Sequence, residues 1–197
     1  MVSFLMIVPE KCKYLYTYNI NIATLAILVL KMEALSKKEV EVISRLEFDR
    51  KYFFTREVIT GFFQNDQQIS DFIFGLKEKR RIVKINKRKY YLIPIKAKSG
   101  GWSEDPFIIA DEICDGKDYF IGGYASANYW KLTDQIPMQF DVYTTRRQGK
   151  VKIMNTRFVF HRTTKKRVKD VFIGNISGHD FRIMDKEDAK KWIKGKQ

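Results

Sequence analysis

The chain is 197 residues long, 45% hydrophobic and 14% aromatic, with 11 Gly and 4 Pro, so it carries enough apolar surface to offset the entropy of ordering and is not a disordered or low-complexity chain. Thirty-seven Lys and Arg against 23 Asp and Glu leave a net charge of +14, which favours a polyanionic partner, nucleic acid first. Two cysteines, Cys12 and Cys114, and two histidines, His161 and His179, are too few and too scattered for a disulfide scaffold or a zinc finger; this points to a reducing, cytoplasmic setting and to no cofactor.

Residues 14–30 form an uncharged run of 17, the lower edge of a bilayer span. Thr17, Asn19, Asn21 and Thr24 interrupt it, and the strongly apolar part, residues 20–30, covers only about 16 Å as a helix, which argues against a membrane-spanning segment. No small-residue cleavage site or early basic region marks a secretory signal. Residues 1–31 are therefore set apart as an N-terminal extension, an appended helix or an upstream segment, and the fold is expected to begin at Met32.

Ser36 followed by Glu39 is a capping box, and Val40, Ile43 and Leu46 recur at helical spacing, so a first helix runs to about Arg50. Thr55 is placed to cap a short second helix with Val58, Ile59, Phe62 and Phe63 as its apolar stripe, and residues 64–66 supply the turn. In the third helix Ile69, Phe72, Ile73 and Leu76 stand at i, i+3, i+4 and i+7; that face is buried, while Gln67, Ser70, Asp71, Phe74 and Glu78 point outward. Residues 81–85 and 89–93 are β-rich and are separated by Asn86, Lys87 and Arg88, which predicts a hairpin. Three helices and a hairpin make a winged helix-turn-helix over residues 32–95.

Between Lys77 and Lys89 stand eight basic residues, Lys77, Lys79, Arg80, Arg81, Lys84, Lys87, Arg88 and Lys89, against one acid, Glu78. On a helix end and a hairpin tip they are placed to line phosphates of double-stranded DNA while the third helix enters the major groove. Gln67, Gln68 and Ser70 are the candidates for base edges and Phe74 for a thymine methyl or an interdomain contact, with Asp71 and Glu78 opposing phosphate. The competing reading of the basic run is a solvated surface.

Residues 96–104, with Gly100 and Gly101, have linker composition, and a second unit is expected over residues 105–197. Asp105 and Pro106 open a helix that Asp115 and Gly116 stop. A strand at 119–121, a Gly122-Gly123 turn, a helix at 124–132, and strands at 140–145, 151–154, 157–161, 171–173 and 181–184 complete an α+β unit with a mostly antiparallel sheet. A second basic stripe runs through it: Arg146, Arg147, Lys150, Lys152, Arg157, Arg162, Lys165, Lys166, Arg167 and Lys169, with no acid between residues 142 and 169. It extends a DNA footprint, touches another partner such as RNA, or simply protects edge strands.

His161 in an alternating strand and His179 beside a glycine read as structural, since no nucleophile elbow accompanies them. Gly122-Gly123 lacks the phosphate-loop pattern. Asp111, Glu112, Asp115, Asp118 and Asp141 are the carboxylates a Mg²⁺-dependent DNA nuclease would draw on, though helix surfaces and caps account for Asp111, Glu112 and Asp115 equally well.

The block Tyr119-Phe-Ile-Gly-Gly-Tyr-Ala-Ser-Ala-Asn-Tyr-Trp-Lys-Leu-Thr-Asp-Gln-Ile-Pro137, with Val142-Tyr-Thr-Thr-Arg-Arg147 after it, resembles the AbiEi-type antitoxins of abortive-infection toxin-antitoxin systems. In organisation the likeness spans residues 36–185. It implies a transcriptional repressor whose N-terminal winged helix binds its own operator, with two copies on one operator as a further expectation. It also implies an antitoxin whose second domain opposes a nucleotidyltransferase toxin from the same operon. Related proteins continue into further helices where this chain has ten residues after Glu187.

Overall fold

The computed structural model describes residues 34–95 and 104–195. The extension expected at 1–31 and, Glu104 apart, the linker expected at 96–104 lie outside the described residues.

The Ser36 capping box forms as expected: Ser36 Oγ accepts from the Glu39 amide at 3.2 Å, and the Glu39 carboxylate accepts from the Ser36 amide at 2.6 Å. Helix α1 (Lys37–Phe48) buries Glu39, Val42, Ile43 and Leu46. Val40, expected on that face, is 43% exposed, because the buried stripe falls on 39, 42, 43 and 46 and leaves it one position off the seam. Strand β1 (Phe53–Thr55) precedes α2 (Arg56–Ile59), which tightens into a 3₁₀ turn over Thr60–Phe62. Thr55 sits at the cap position without a side-chain capping bond, and Val58 is exposed beside a buried Ile59.

Asn65 caps α3 (Asp66–Glu78) by accepting from the Gln68 amide at 2.9 Å, and Ile69, Phe72, Ile73 and Leu76 are its buried face, as their spacing predicts. The helix stops without glycine: Arg80 takes a left-handed conformation (φ 54°), its amide bonding to the Lys77 carbonyl and that of Arg81 to the Leu76 carbonyl. The hairpin of β2 (Ile82–Lys84) and β3 (Lys89–Leu92) follows, and β1 pairs with the far side of β3, giving an antiparallel sheet in the order β1-β3-β2.

The second half begins with α4 (Pro106–Cys114), capped by Asp105 and ended by a left-handed Asp115. Strands β4 (Tyr119–Gly122), β5 (Gln139–Thr144), β6 (Gly149–Ile153), β7 (Thr156–Arg162), β8 (Phe172–Ile176) and β9 (His179–Ile183) form one sheet in the order β6-β7-β5-β4-β9-β8. The β6/β7, β4/β5 and β8/β9 pairs are antiparallel, and β5/β7 and β4/β9 are parallel. The fold is thus α+β with mostly antiparallel sheets. Helix α5 (Gly123–Tyr129) follows β4, and two further helices, α6 (Lys165–Lys169) and α7 (Lys186–Lys194), occupy segments where the residue pattern predicts none. Helix α6 has Val168 as its one buried residue and shows no apolar stripe, whereas α7, capped by Asp185, carries a short one at i, i+3 and i+4: Ala189 is buried and Trp192 and Ile193 are half-buried.

The hydrophobic cluster of the second half takes in Ile85, Tyr91 and Ile93 from the hairpin alongside Phe107, Tyr119, Phe140, Phe158 and Phe181. A second cluster, with Val42, Leu46, Ile59, Ile73 and Leu92, lies between α1, α3 and the small sheet. The hairpin is therefore shared: one side closes the N-terminal helices and the other packs on the second half.

A buried ion pair ties α1 to the end of α3. Lys79 Nζ lies 2.6 Å from Glu39 Oε2, with the two side chains 17% and 9% exposed, and Gly75 leaves room for the carboxylate, since a Cβ there would stand 3.3 Å from Glu39 Oε1. Burial raises the Glu39 pKa, but the hydrogen bonds from Lys79 and Ser36 together outweigh it, so the carboxyl titrates below its ordinary 4.5. The stabilisation is therefore complete above the unfolded value near 4.5 and is lost as the pH falls through the lower folded value. Glu39→Gln is expected to cost about 2 kcal/mol at neutral pH, with the gap to the wild type closing as the pH falls below the ordinary carboxyl value of 4.5; urea unfolding across that range measures both.

Candidate nucleic-acid interface

The outward face of α3 and the hairpin beyond it carry the residues singled out for DNA. At the start of α3, Arg56 Nη2 donates to the Asp66 carbonyl (3.2 Å) and to Ser70 Oγ (3.1 Å), and Ser70 Oγ donates back to the Asp66 carbonyl (3.0 Å). Ser70 is thereby half-buried and occupied, and serves to fix α2 against α3. Gln67 and Gln68 are exposed: Gln67 Nε2 donates to Asp71 Oδ1 at 2.9 Å, and Gln68 accepts from the Gln64 amide at 3.0 Å. Phe74 is 67% exposed on the same face.

The eight basic residues separate into two groups. Lys77, Arg80, Lys84, Lys87 and Arg88 are exposed, Arg81 is half-buried, and Lys77 Nζ stands 5.2 Å over the Tyr90 ring, which limits its range. Lys79 and Lys89 are committed to internal structure. Lys79 is held by Glu39, and Lys89 Nζ reaches Glu112 Oε2 at 2.5 Å and Asp115 Oδ1 at 3.2 Å. Burial pulls the Lys89 pKa down, yet its bonds to Glu112 and Asp115 more than offset this and hold the ammonium above its ordinary value.

Asn86, legible in the sequence only as a turn residue, positions the hairpin. Its Oδ1 accepts from the amides of Arg88 and Lys89, both at 2.9 Å, while its Nδ2 donates to Asp115 Oδ1 at 3.1 Å and, at 3.4 Å, to the carbonyls of Glu112 and Ile113. One side chain thus shapes the turn and caps the end of α4. The tip leans on α4 through Ile85, Asn86 and Lys89 and turns Lys87 and Arg88 to solvent.

The second basic stripe is also divided. Arg146 is committed to Asp118 and to the Cys114 carbonyl, and Arg147 lies 4.0 Å over the Phe160 ring. Lys150, Lys152, Arg157, Arg162, Lys165, Lys166, Arg167 and Lys169 are exposed. Lys152 stands directly opposite Arg157 across the β6/β7 pair, a like-charge neighbour on the open sheet surface.

The five carboxylates considered for a metal site are dispersed into separate pairs. Asp111 accepts from Tyr119 Oη and faces His179, Glu112 and Asp115 hold Lys89, Asp118 holds Arg146, and Asp141 faces His161 at 2.8 Å. Among the described residues no group of three or more His, Cys, Asp and Glu is placed to hold a metal ion. Cys114 is a buried free thiol, its pKa pushed up by burial to about 12.

In the Tyr119–Pro137 block, Gly123 turns at φ +65° directly against Asp141, and Asn128 Nδ2 pins the loop after α5 by donating to the carbonyls of Thr133 (3.3 Å) and Gln135 (3.1 Å). That leaves Ile136 79% and Met138 88% exposed. Among the described residues no helix is long and apolar enough to cross a membrane. Neither protein-family models nor curated proteins give a match to this sequence.

Proposed function

We propose that the chain is a cytoplasmic, sequence-specific DNA-binding transcriptional repressor and antitoxin of the AbiEi type, acting on its own operator as a winged helix-turn-helix over residues 32–95. The observation that carries the reading is the succession α1-β1-α2-α3-β2-β3 with the strand order β1-β3-β2, which sets an exposed α3 beside a hairpin bearing Lys84, Lys87 and Arg88. In this reading α3 enters the major groove with Gln67, Gln68 and Phe74 toward base edges, and Lys77, Arg80, Arg81, Lys84, Lys87 and Arg88 neutralise phosphates. Anchoring by Asn86 and Lys89 holds the tip rigid, so contact with DNA costs little ordering entropy.

The antitoxin half of the proposal rests on the resemblance of the Tyr119–Pro137 block. The exposed Ile136 and Met138 on their pinned loop give a nucleotidyltransferase toxin an apolar point of contact. A gel shift with the DNA upstream of the chain's own gene tests the first half: a shift resistant to excess unrelated duplex is expected, and equal competition by unrelated duplex overturns it. Co-purification with the product of the neighbouring gene tests the second. Capture without a DNA shift would make the chain a toxin-binding module alone.

A further inference from the structure

Away from the hairpin, a cleft of about 470 Å³ lies between the loop after α4, helix α6 and strand β9, lined by Lys117, Asp118, Lys165, Val168, Lys169 and Arg182. Four of these are cations. The one carboxylate, Asp118, is already neutralised, since Nε and Nη2 of Arg146 reach its Oδ2 at 3.1 and 2.9 Å. Among the described residues Lys117, Lys165 and Lys169 form no ion pair, and the Arg182 side chain makes one hydrogen bond, from its Nε to the Gly116 carbonyl at 3.3 Å, with no partner to its terminal nitrogens.

The walls of the cleft are fixed in advance. Buried Val168 anchors α6, and Lys165 and Lys169, four residues apart, share one face of that turn. Lys117 is presented by a loop in which Asp115, Gly116 and Asp118 all have positive φ (54°, 68° and 58°). That loop is held by Thr144 Oγ1 and the Thr145 amide, which donate to the Asp118 carbonyl at 2.8 and 3.2 Å. On the opposite wall the Arg182 amide donates to Tyr119 Oη at 3.0 Å. Like charges converging on a rigid concavity repel one another and are relieved by an anion.

We infer that this cleft binds a small ligand carrying two or three linked phosphoryl groups, a pyrophosphate, triphosphate or nucleoside polyphosphate, and holds it by the phosphates alone. Four uncompensated positive charges exceed what a single orthophosphate neutralises and match a di- or triphosphate. Among the described residues no aromatic side chain lines the cleft, so a nucleobase gains no stacking from them. A duplex carries its singly charged phosphates on a convex backbone, which suits the open hairpin better than a concave cluster.

Titration calorimetry of the full chain with sodium pyrophosphate, tripolyphosphate, ATP and orthophosphate tests the inference. Pyrophosphate and tripolyphosphate are expected to bind at least about tenfold tighter than orthophosphate, with ATP close to tripolyphosphate. The double change Lys165→Gln with Lys169→Gln, and separately Arg182→Gln, should each weaken pyrophosphate about tenfold or more, whereas Lys150→Gln with Lys152→Gln should leave it unchanged. Absence of saturable pyrophosphate binding, or an equal loss in the Lys150/Lys152 control, overturns the site. Displacement of pyrophosphate by random duplex DNA would make the cleft part of a nucleic-acid surface and also overturns it. The inference is independent of the repressor reading: hairpin variants that lose duplex binding should retain pyrophosphate binding, and the cleft variants the reverse.

Discussion

Under the proposed repressor function, replacing Arg80, Arg81, Lys87 and Arg88 together by Ala is expected to weaken binding to operator and unrelated duplex alike, on the order of a hundredfold at 0.1 M salt. It should also flatten the dependence of log affinity on log salt by about 0.9 for each phosphate no longer neutralised, so by about 3 to 4 in all. These four side chains are solvent-facing or half-buried and form no ion pair among the described residues, with only Arg88 feeling a nearby carboxylate, that of Glu57, so their charge is open to counterion exchange. The matched comparison is Lys79→Ala and Lys89→Ala, at the same basic segment. Both ammonium groups are held by carboxylates, Glu39 for one and Glu112 with Asp115 for the other. Their removal should leave the salt slope unchanged while lowering stability by about 1 to 3 kcal/mol. Filter binding over a salt series, paired with urea unfolding, separates the groups. An unaltered slope in the quadruple variant removes the hairpin from the mechanism.

Gly123→Ala is expected to be the most destabilising single-methyl change in the second half. The residue sits at φ +65°, where an L side chain costs about 1 to 2 kcal/mol, and its added Cβ would lie 2.6 Å from Asp141 Oδ2 and 3.2 Å from Asp141 Cβ. Asp141 has little freedom to yield, because its Oδ1 accepts from Gln139 Nε2 at 3.0 Å and lies 2.8 Å from His161 Nε2. The combined cost is about 3 kcal/mol or more, a fall in Tm of roughly 6 to 12 °C for a chain of this size. Gly61→Ala, with open space around its Cβ, serves as the mild control. Adding Asp141→Ala to Gly123→Ala should return part of the stability; no recovery would mean that the steric account is wrong and the backbone conformation alone acts.

The same Gly-Gly pair shows how far local sequence reaches. A glycine pair at the end of a short strand announces a sharp change of direction, and at Gly123, φ +65°, the chain passes from β4 straight into α5; that Gly122 must be bare because a Cβ would meet the Tyr143 ring at 2.7 Å depends on β5 lying alongside. The α3 face was legible because Ile69, Phe72, Ile73 and Leu76 follow helical periodicity over 13 residues, and the Ser36–Glu39 box because its partners are three residues apart. Strand β1 was not legible: three residues carry too little alternation, and its register, with Phe53 opposite Tyr91 and Thr55 opposite Lys89, joins segments separated by the whole of α2 and α3. Helix α6 escaped because five residues with one buried side chain, Val168, carry no period; the Ala189, Trp192 and Ile193 spacing of α7 was in the sequence, but its packing partner Tyr124 lies 68 residues away.

Composition and periodicity by themselves settled the excess of positive charge, the α+β class, the order of three helices before a hairpin, β1 excepted, and the candidate face of α3, since each depends on residue type or on neighbours within a turn or two. Which cations remain free was decided by tertiary structure. Lys79 and Lys89 find carboxylates 40 and 23 residues away, Asn86 reaches α4 across 26 to 29 positions, and Lys117, Lys165, Lys169 and Arg182 converge only when the loop after α4, α6 and β9 meet. Charge is a property of the side chain, but its availability depends on distance and burial, and those are set by contacts between segments far apart in the chain.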